Sequence, residues 1–129
     1  MNIREAALER SVEYFDTGSF ESDLAELVAM PSESQETRGS EHLRNYLDFG
    51  IIPMLLEMGF ECNILQNPIP GAGPLLLAER IESADLPTIL TFGHGDVVRG
   101  QEHQWREGLL PFKLIEEGER LYGRGSGEE

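Results

Sequence analysis

The sequence feature that most constrains the fold is a short apolar run that ends at a histidine and an aspartate. Thr88–Phe92 reads Thr-Ile-Leu-Thr-Phe and is closed by Gly93. An apolar, partly β-branched run of this kind predicts a strand buried on both faces. In open α/β sheets, ligands bind in the crevice outside the carboxyl ends of the strands. We therefore expect His94 and Asp96, which come just after this run, to lie where chemistry takes place.

The spacing of His94 and Asp96 indicates how the two side chains could cooperate. In an extended chain, side chains two residues apart point to the same side. Asp96 can then hydrogen-bond one ring nitrogen of His94 while the other nitrogen faces a metal ion. A carboxylate in this position fixes the tautomer of a histidine ligand and raises its basicity. Because the His-x-Asp pattern is short, the prediction of a metal site depends on the segments around it.

Those segments occur in a recognisable order. They are TFGHGDVV at 91–98, Gln-Trp-Arg at 104–106, Pro-Phe at 111–112 and LYGRGS at 121–126, the last followed by an acid. Upstream, LVAMPS at 27–32 and Gly-Phe at 59–60 fit the same pattern. Together they resemble the zinc-dependent exopeptidase and deacylase family, which includes acetylornithine deacetylase, succinyl-diaminopimelate desuccinylase, aminoacylase, glutamate carboxypeptidase and related dipeptidases.

The resemblance implies an α/β fold in which helices pack on the faces of a mixed sheet. It spans nearly all of the chain but corresponds to only the front part of the family's full length. Residues 1–129 are accordingly expected to be the N-terminal portion of a metallohydrolase catalytic domain. The remainder of that domain and a lid or dimerisation domain would lie beyond them.

The same resemblance implies roles for three residues at a site that holds two zinc ions, with cobalt or manganese as possible substitutes. His94 would bind one ion, and Asp96 would orient His94 and support catalysis without contacting metal. Glu128 would occupy the position of the carboxylate that bridges both ions. The family normally has aspartate there. Either the site accepts the longer acid, or the terminal residues are not native sequence.

The implied activity is hydrolysis of a peptide-like or N-acyl amide bond next to a free carboxylate, in a small peptide or N-acyl amino acid. The general base and the remaining ligands of the family site would lie beyond residue 129. We therefore expect the isolated chain to be inactive. The alternative is a non-catalytic α/β fragment that self-associates or acts as an interaction module, with His94 and Asp96 as a hydrogen-bonded pair.

Charge and cysteine content restrict the partners and the compartment. The chain has 24 acidic and 10 basic residues and a net charge of −14, which argues against nucleic-acid and anionic-membrane partners. Cys62 is the single cysteine, so no intramolecular disulfide can form and a cytoplasmic location is expected. Met1–Glu13 carries charges throughout, and we predict neither a signal peptide nor a membrane span.

Local patterns predict the remaining elements. Apolar periodicity indicates helices at 4–14, 20–29 and 40–58, with a kink near Phe49 caused by Pro53. Strands are expected at 60–65 and 75–81, and a hairpin pairs 112–115 with 120–122 around a turn at Gly118. Pro31–Ser34 is predicted to be a polar loop whose serines are solvated or cap helices, and are not nucleophiles. Exposed strand edges in an incomplete sheet would favour a homo-oligomer.

Overall fold

The computed structural model describes residues 2–35 and 39–127, which begin with two consecutive helices, α1 (Ile3–Asp16) and α2 (Ser19–Val28). Asn2 and Glu5 form a capping box at the start of α1, with bonds of 2.9 and 3.0 Å between each side chain and the other's backbone N–H. Gly18 has a φ of 79° and reverses the chain. Both helices are confirmed.

The predicted helix at 40–58 is also present, with a wider turn at its centre. It consists of α3 (Gly39–Asn45), a π-helical segment (Tyr46–Ile51) and α4 (Ile52–Glu57). Pro53 has no N–H for the carbonyl of Phe49, and the π-helical segment includes Phe49, where the kink is predicted. Gly50 lets the helix approach α2, because a Cβ there would lie 2.8 Å from Leu27 Cδ2.

Two antiparallel hairpins supply the β structure. In the first, β1 (Glu61–Leu65) pairs with β2 (Leu75–Glu79), so that Leu65 lies opposite Leu75. In the second, β3 (Ile115–Glu117) pairs with β4 (Arg120–Tyr122) across a turn where Gly118 has a φ of 63°. The chain therefore combines α and β elements as predicted. The single mixed sheet is not found among the described residues, where both sheets are small and antiparallel.

The prediction of a buried strand at Thr88–Phe92 is wrong for the described structure. Ile89, Leu90 and Phe92 are 86%, 91% and 93% exposed. No described residue forms a backbone hydrogen bond with residues 87–93. The composition of the run favours an extended conformation, but a strand needs a neighbour to pair with. None of the described residues provides one.

The described core is small and lies beside the segment that comes after this run. Val28, Val97 and Leu109 are its buried apolar residues, and Ser32 is buried with them at 2% exposure. The loop after α2 runs parallel to the backbone around Val97, where Val97 N donates to Ser32 O at 2.9 Å and Ser34 N donates to Val97 O at 3.1 Å. None of the helices in residues 2–35 and 39–127 has the length and apolar character needed to cross a membrane.

Candidate functional site

The structure brings His94 and Asp96 together. His94 Nδ1 lies 3.2 Å from the main-chain oxygen of Asp96 and 3.3 Å from its carboxylate Oδ1. The two side chains are 49% and 46% exposed, so the pair is open to solvent. Within residues 2–35 and 39–127, His94 Nε2 has no hydrogen-bond partner. This nitrogen is consequently free to bind a metal ion while Nδ1 faces Asp96.

The peptide between these two residues is held by Ser32. Ser32 Oγ donates a 2.5 Å hydrogen bond to the carbonyl oxygen of Gly95. The prediction that this serine is solvated or caps a helix is therefore wrong. Although the 31–34 loop is polar in composition, it packs against residues 94–96. The buried Ser32 hydroxyl needs a hydrogen-bond partner, and the Gly95 carbonyl provides one.

Tyr46 contacts Gly95 from another side. Its ring lies so close to the Gly95 α-carbon that a Cβ at this position would overlap the ring carbons Cε1 and Cζ. Burial raises the pKa of Tyr46 above its ordinary value. Tyr46 begins the π-helical segment, and such segments occur frequently at functional sites. The apolar periodicity of the 40–58 helix indicates only that Tyr46 lies on its apolar face.

The predicted motif segment at 121–126 lies beside His94 and Asp96. A cavity of about 90 Å³ is lined by His94 and Asp96 and also by Arg124 and Gly125. The turn at 123–126 is closed by Ser126, whose N and Oγ donate to Gly123 O at 3.3 and 2.9 Å. Residues of the 27–32 segment line it as well, so three of the motif segments meet at one cavity although they are well separated in the sequence.

The glycines of this turn allow the close approach. A Cβ at Gly123 would lie 2.7 Å from Val28 Cγ1, and one at Gly125 would lie 2.8 Å from Val97 Cγ1. Gly125 also has a φ of 76°, which L side chains rarely adopt. Gly123 and Gly125 therefore serve the curvature and the close packing of this turn.

Arg124 and Trp105 connect the turn to the chain that leaves the candidate site. The carbonyl oxygen of Gly100 accepts hydrogen bonds from Trp105 Nε1 at 2.7 Å and Arg124 Nη2 at 3.1 Å. The Arg124 guanidinium carbon also lies 5.4 Å from the centroid of the Trp105 ring. These contacts assign the Arg124 guanidinium to holding the two segments together.

The described donors fit part of a zinc site. No group of three or more His, Cys, Asp or Glu side chains suited to a metal occurs within residues 2–35 and 39–127. A catalytic zinc takes about three protein ligands. His94, with Asp96 behind it, fits one ligand position of such a site and the supporting carboxylate. Glu128 lies outside the described residues.

Comparison with known proteins finds no matching family model and no matching curated protein sequence. The function of this chain is therefore inferred from its own residues and from the resemblance of its motifs. Its physical basis is the contact between His94 and Asp96 and the cavity that they line.

Proposed function

We propose that this chain is part of a metal-dependent hydrolase of the exopeptidase and deacylase class, which cleaves peptide-like or N-acyl amide bonds. The observation that carries the proposal is the cavity shared by His94, Asp96, Arg124 and Gly125. These residues come from segments that carry the resemblance to zinc-dependent hydrolases, and their proximity supports the proposal.

In this proposal His94, Asp96 and Glu128 each have a defined task. His94 Nε2 would hold a zinc ion, and Asp96 would keep the ring oriented through Nδ1. Glu128, in the family's position for the bridging carboxylate, would contact both ions of a two-zinc site. Bound zinc polarises the scissile carbonyl and lowers the pKa of its water. Cobalt or manganese could take its place.

We further propose that residues other than those described complete the site and the sheet. The exposed apolar run at Thr88–Phe92 supports this, since a segment of this composition is normally paired and covered on both faces. The missing metal ligands and a general base would come from the elements that cover it. The 129-residue chain alone is accordingly expected to bind metal weakly and to lack hydrolase activity.

The substrate class is inferred from the resemblance alone. A small peptide or N-acyl amino acid is the proposed substrate. The net charge of −14 disfavours polyanions such as nucleic acids or anionic lipid surfaces as partners, because they would be repelled.

The second candidate function is a non-catalytic α/β module that associates through its exposed apolar run. The same exposure of Ile89, Leu90 and Phe92 favours it, because exposed β-prone segments commonly pair with other chains. This candidate treats the contact between His94 and Asp96 as structural. It therefore predicts that removing the His94 imidazole leaves metal binding unchanged.

Calorimetric titration with zinc separates the two candidates. We expect a weak, saturable heat for the wild-type chain and its loss in His94→Ala, because the variant lacks the Nε2 donor. His103→Ala is the matched control, since His103 is also an exposed histidine but lies away from the cavity. It should retain the heat. Equal heats for all three proteins would show that His94 does not bind zinc and would favour the non-catalytic module.

A further inference from the structure

We propose that Ser32 and Tyr46 are positioning residues that clamp the Gly95 peptide and thereby fix the His94 ring relative to the Asp96 carboxylate. The inference rests on the proposed metal-binding role of His94. It adds a mechanism by which the fold prepares that histidine for an ion. Neither Ser32 nor Tyr46 is expected to contact the metal or the substrate.

The first part of the clamp is a hydrogen bond from a fixed donor. Ser32 is 2% exposed, and its hydroxyl reaches the Gly95 carbonyl at 2.5 Å. The backbone that follows this side chain is bonded to Val97, through Ser32 O at 2.9 Å and Ser34 N at 3.1 Å. Because these bonds keep the loop in place, a shift of the Gly95 carbonyl would break its bond to the Ser32 hydroxyl.

The second part of the clamp is steric. The Tyr46 ring lies against the Gly95 α-carbon, close enough to exclude even a methyl group. The helix that carries Tyr46 is itself packed on α2 through Gly50, which approaches Leu27 and Met30. The Gly95 peptide is therefore held at its carbonyl by one element and at its α-carbon by another.

The clamp matters because the contact that it protects is a long one. His94 Nδ1 lies 3.2 Å from the main-chain oxygen of Asp96 and 3.3 Å from its carboxylate Oδ1, at the outer limit of an N–H···O hydrogen bond. A small rotation of the peptide between the two residues would separate them. Loss of a partner that orients a metal-binding histidine typically weakens metal affinity about 10- to 100-fold.

The test measures the His94 ring itself, which a general loss of stability would not change in a folded protein. Nitrogen-15 NMR in mildly alkaline solution reports the tautomer of each neutral imidazole, and His42 and His103 serve as internal references. In the wild-type chain we expect His94 to carry its proton on Nδ1, facing Asp96. In Ser32→Ala we expect the tautomer mixture shown by the two references.

Zinc titration of the same samples gives the second readout. The His94 resonances of Ser32→Ala should respond to zinc with about tenfold weaker affinity than those of the wild type. Ser32→Thr, which keeps the hydroxyl, should restore both the tautomer and the affinity. Leu109→Ala is the control for stability, because it removes a buried side chain that does not line the cavity and should leave His94 unchanged.

Substitution at glycine probes the clamp from the side of Tyr46. Gly95→Ala should push the ring away and alter the His94 tautomer, whereas Gly93→Ala, with no heavy atom near its Cβ, should not. If Ser32→Ala does not fold, this pair decides the question alone. A wild-type tautomer in both Ser32→Ala and Gly95→Ala would overturn the inference. Zinc that leaves wild-type His94 unshifted would instead refute the proposed function, while the tautomers would still test the clamp.

Discussion

At the level of single residues, Tyr46 connects the candidate site to the stability of the fold. Its ring packs against Gly95, and it lines the same cavity as His94, Asp96 and Arg124. Burial raises the pKa of its phenol because ionisation would place a charge in a poorly solvated position. The protonated ring is therefore the form that the folded chain favours.

This shift predicts a loss of stability in alkaline solution. An unfolded tyrosine ionises near pH 10, and the folded Tyr46 ionises above that value. Between these two pKa values the unfolded chain binds fewer protons, so the free energy of unfolding falls as the pH rises. In urea unfolding, we expect the free energy of unfolding of Tyr46→Phe to fall less between about pH 8 and pH 11 than that of the wild type.

The contribution of Tyr14 to the pH dependence has to be removed from this measurement. Its pKa is also raised, by its hydrogen bond to Asp23, and it would contribute a fall in the same direction. The comparison is therefore made between Tyr14→Phe and the double variant Tyr14→Phe/Tyr46→Phe. Identical pH dependence in these two proteins would show that burial of Tyr46 does not stabilise its protonated form.

The residues of the candidate site differ in how far the sequence could predict them. The contact between His94 and Asp96 could be predicted because it depends on spacing along a short extended stretch. The contact between Ser32 and Gly95 joins residues 63 positions apart and depends on how the loop packs. LVAMPS at 27–32 belongs to the resemblance and was the one available signal for Ser32. Tyr46 could be assigned only to an apolar helix face.

At the level of elements, local sequence explains which predicted helices and strands are present and which strand is not. Helical periodicity, capping residues and glycine turns act within a few residues, and the three predicted helices are present. Strands form within both predicted ranges, 60–65 and 75–81. The predicted hairpin turns at Gly118, but its first strand is Ile115–Glu117 and not 112–115. Strand pairing at Thr88–Phe92 depends on a partner that the composition of the run cannot specify. The same logic explains the two separate hairpins in place of a mixed sheet.

The exposed run makes a prediction about association. Ile89, Leu90 and Phe92 present apolar surface beside unpaired backbone, a combination that promotes pairing with another chain. We expect Leu90→Asp to shift sedimentation velocity profiles toward the monomer. Ile3→Asp is the control, because Ile3 is 92% exposed but lies on α1. A wild-type chain that sediments as a monomer at all concentrations would contradict this prediction.

At the level of the whole molecule, the site is a product of long-range packing. Residues 94–96 rest on the loop after α2, and the 123–126 turn rests on Val28 and Val97. Both segments are therefore anchored to the same small core. The motifs are recognisable in the sequence, but their meeting at one cavity depends on this packing, which no local pattern encodes.

The central claim is that the His94 imidazole binds a metal ion. X-ray absorption at the zinc edge, recorded on the zinc-loaded chain, tests it most directly. We predict imidazole scattering with a nitrogen at about 2.0–2.1 Å from zinc, and its loss in His94→Ala. A wild-type spectrum with oxygen scatterers only, or one that His94→Ala leaves unchanged, would contradict the claim.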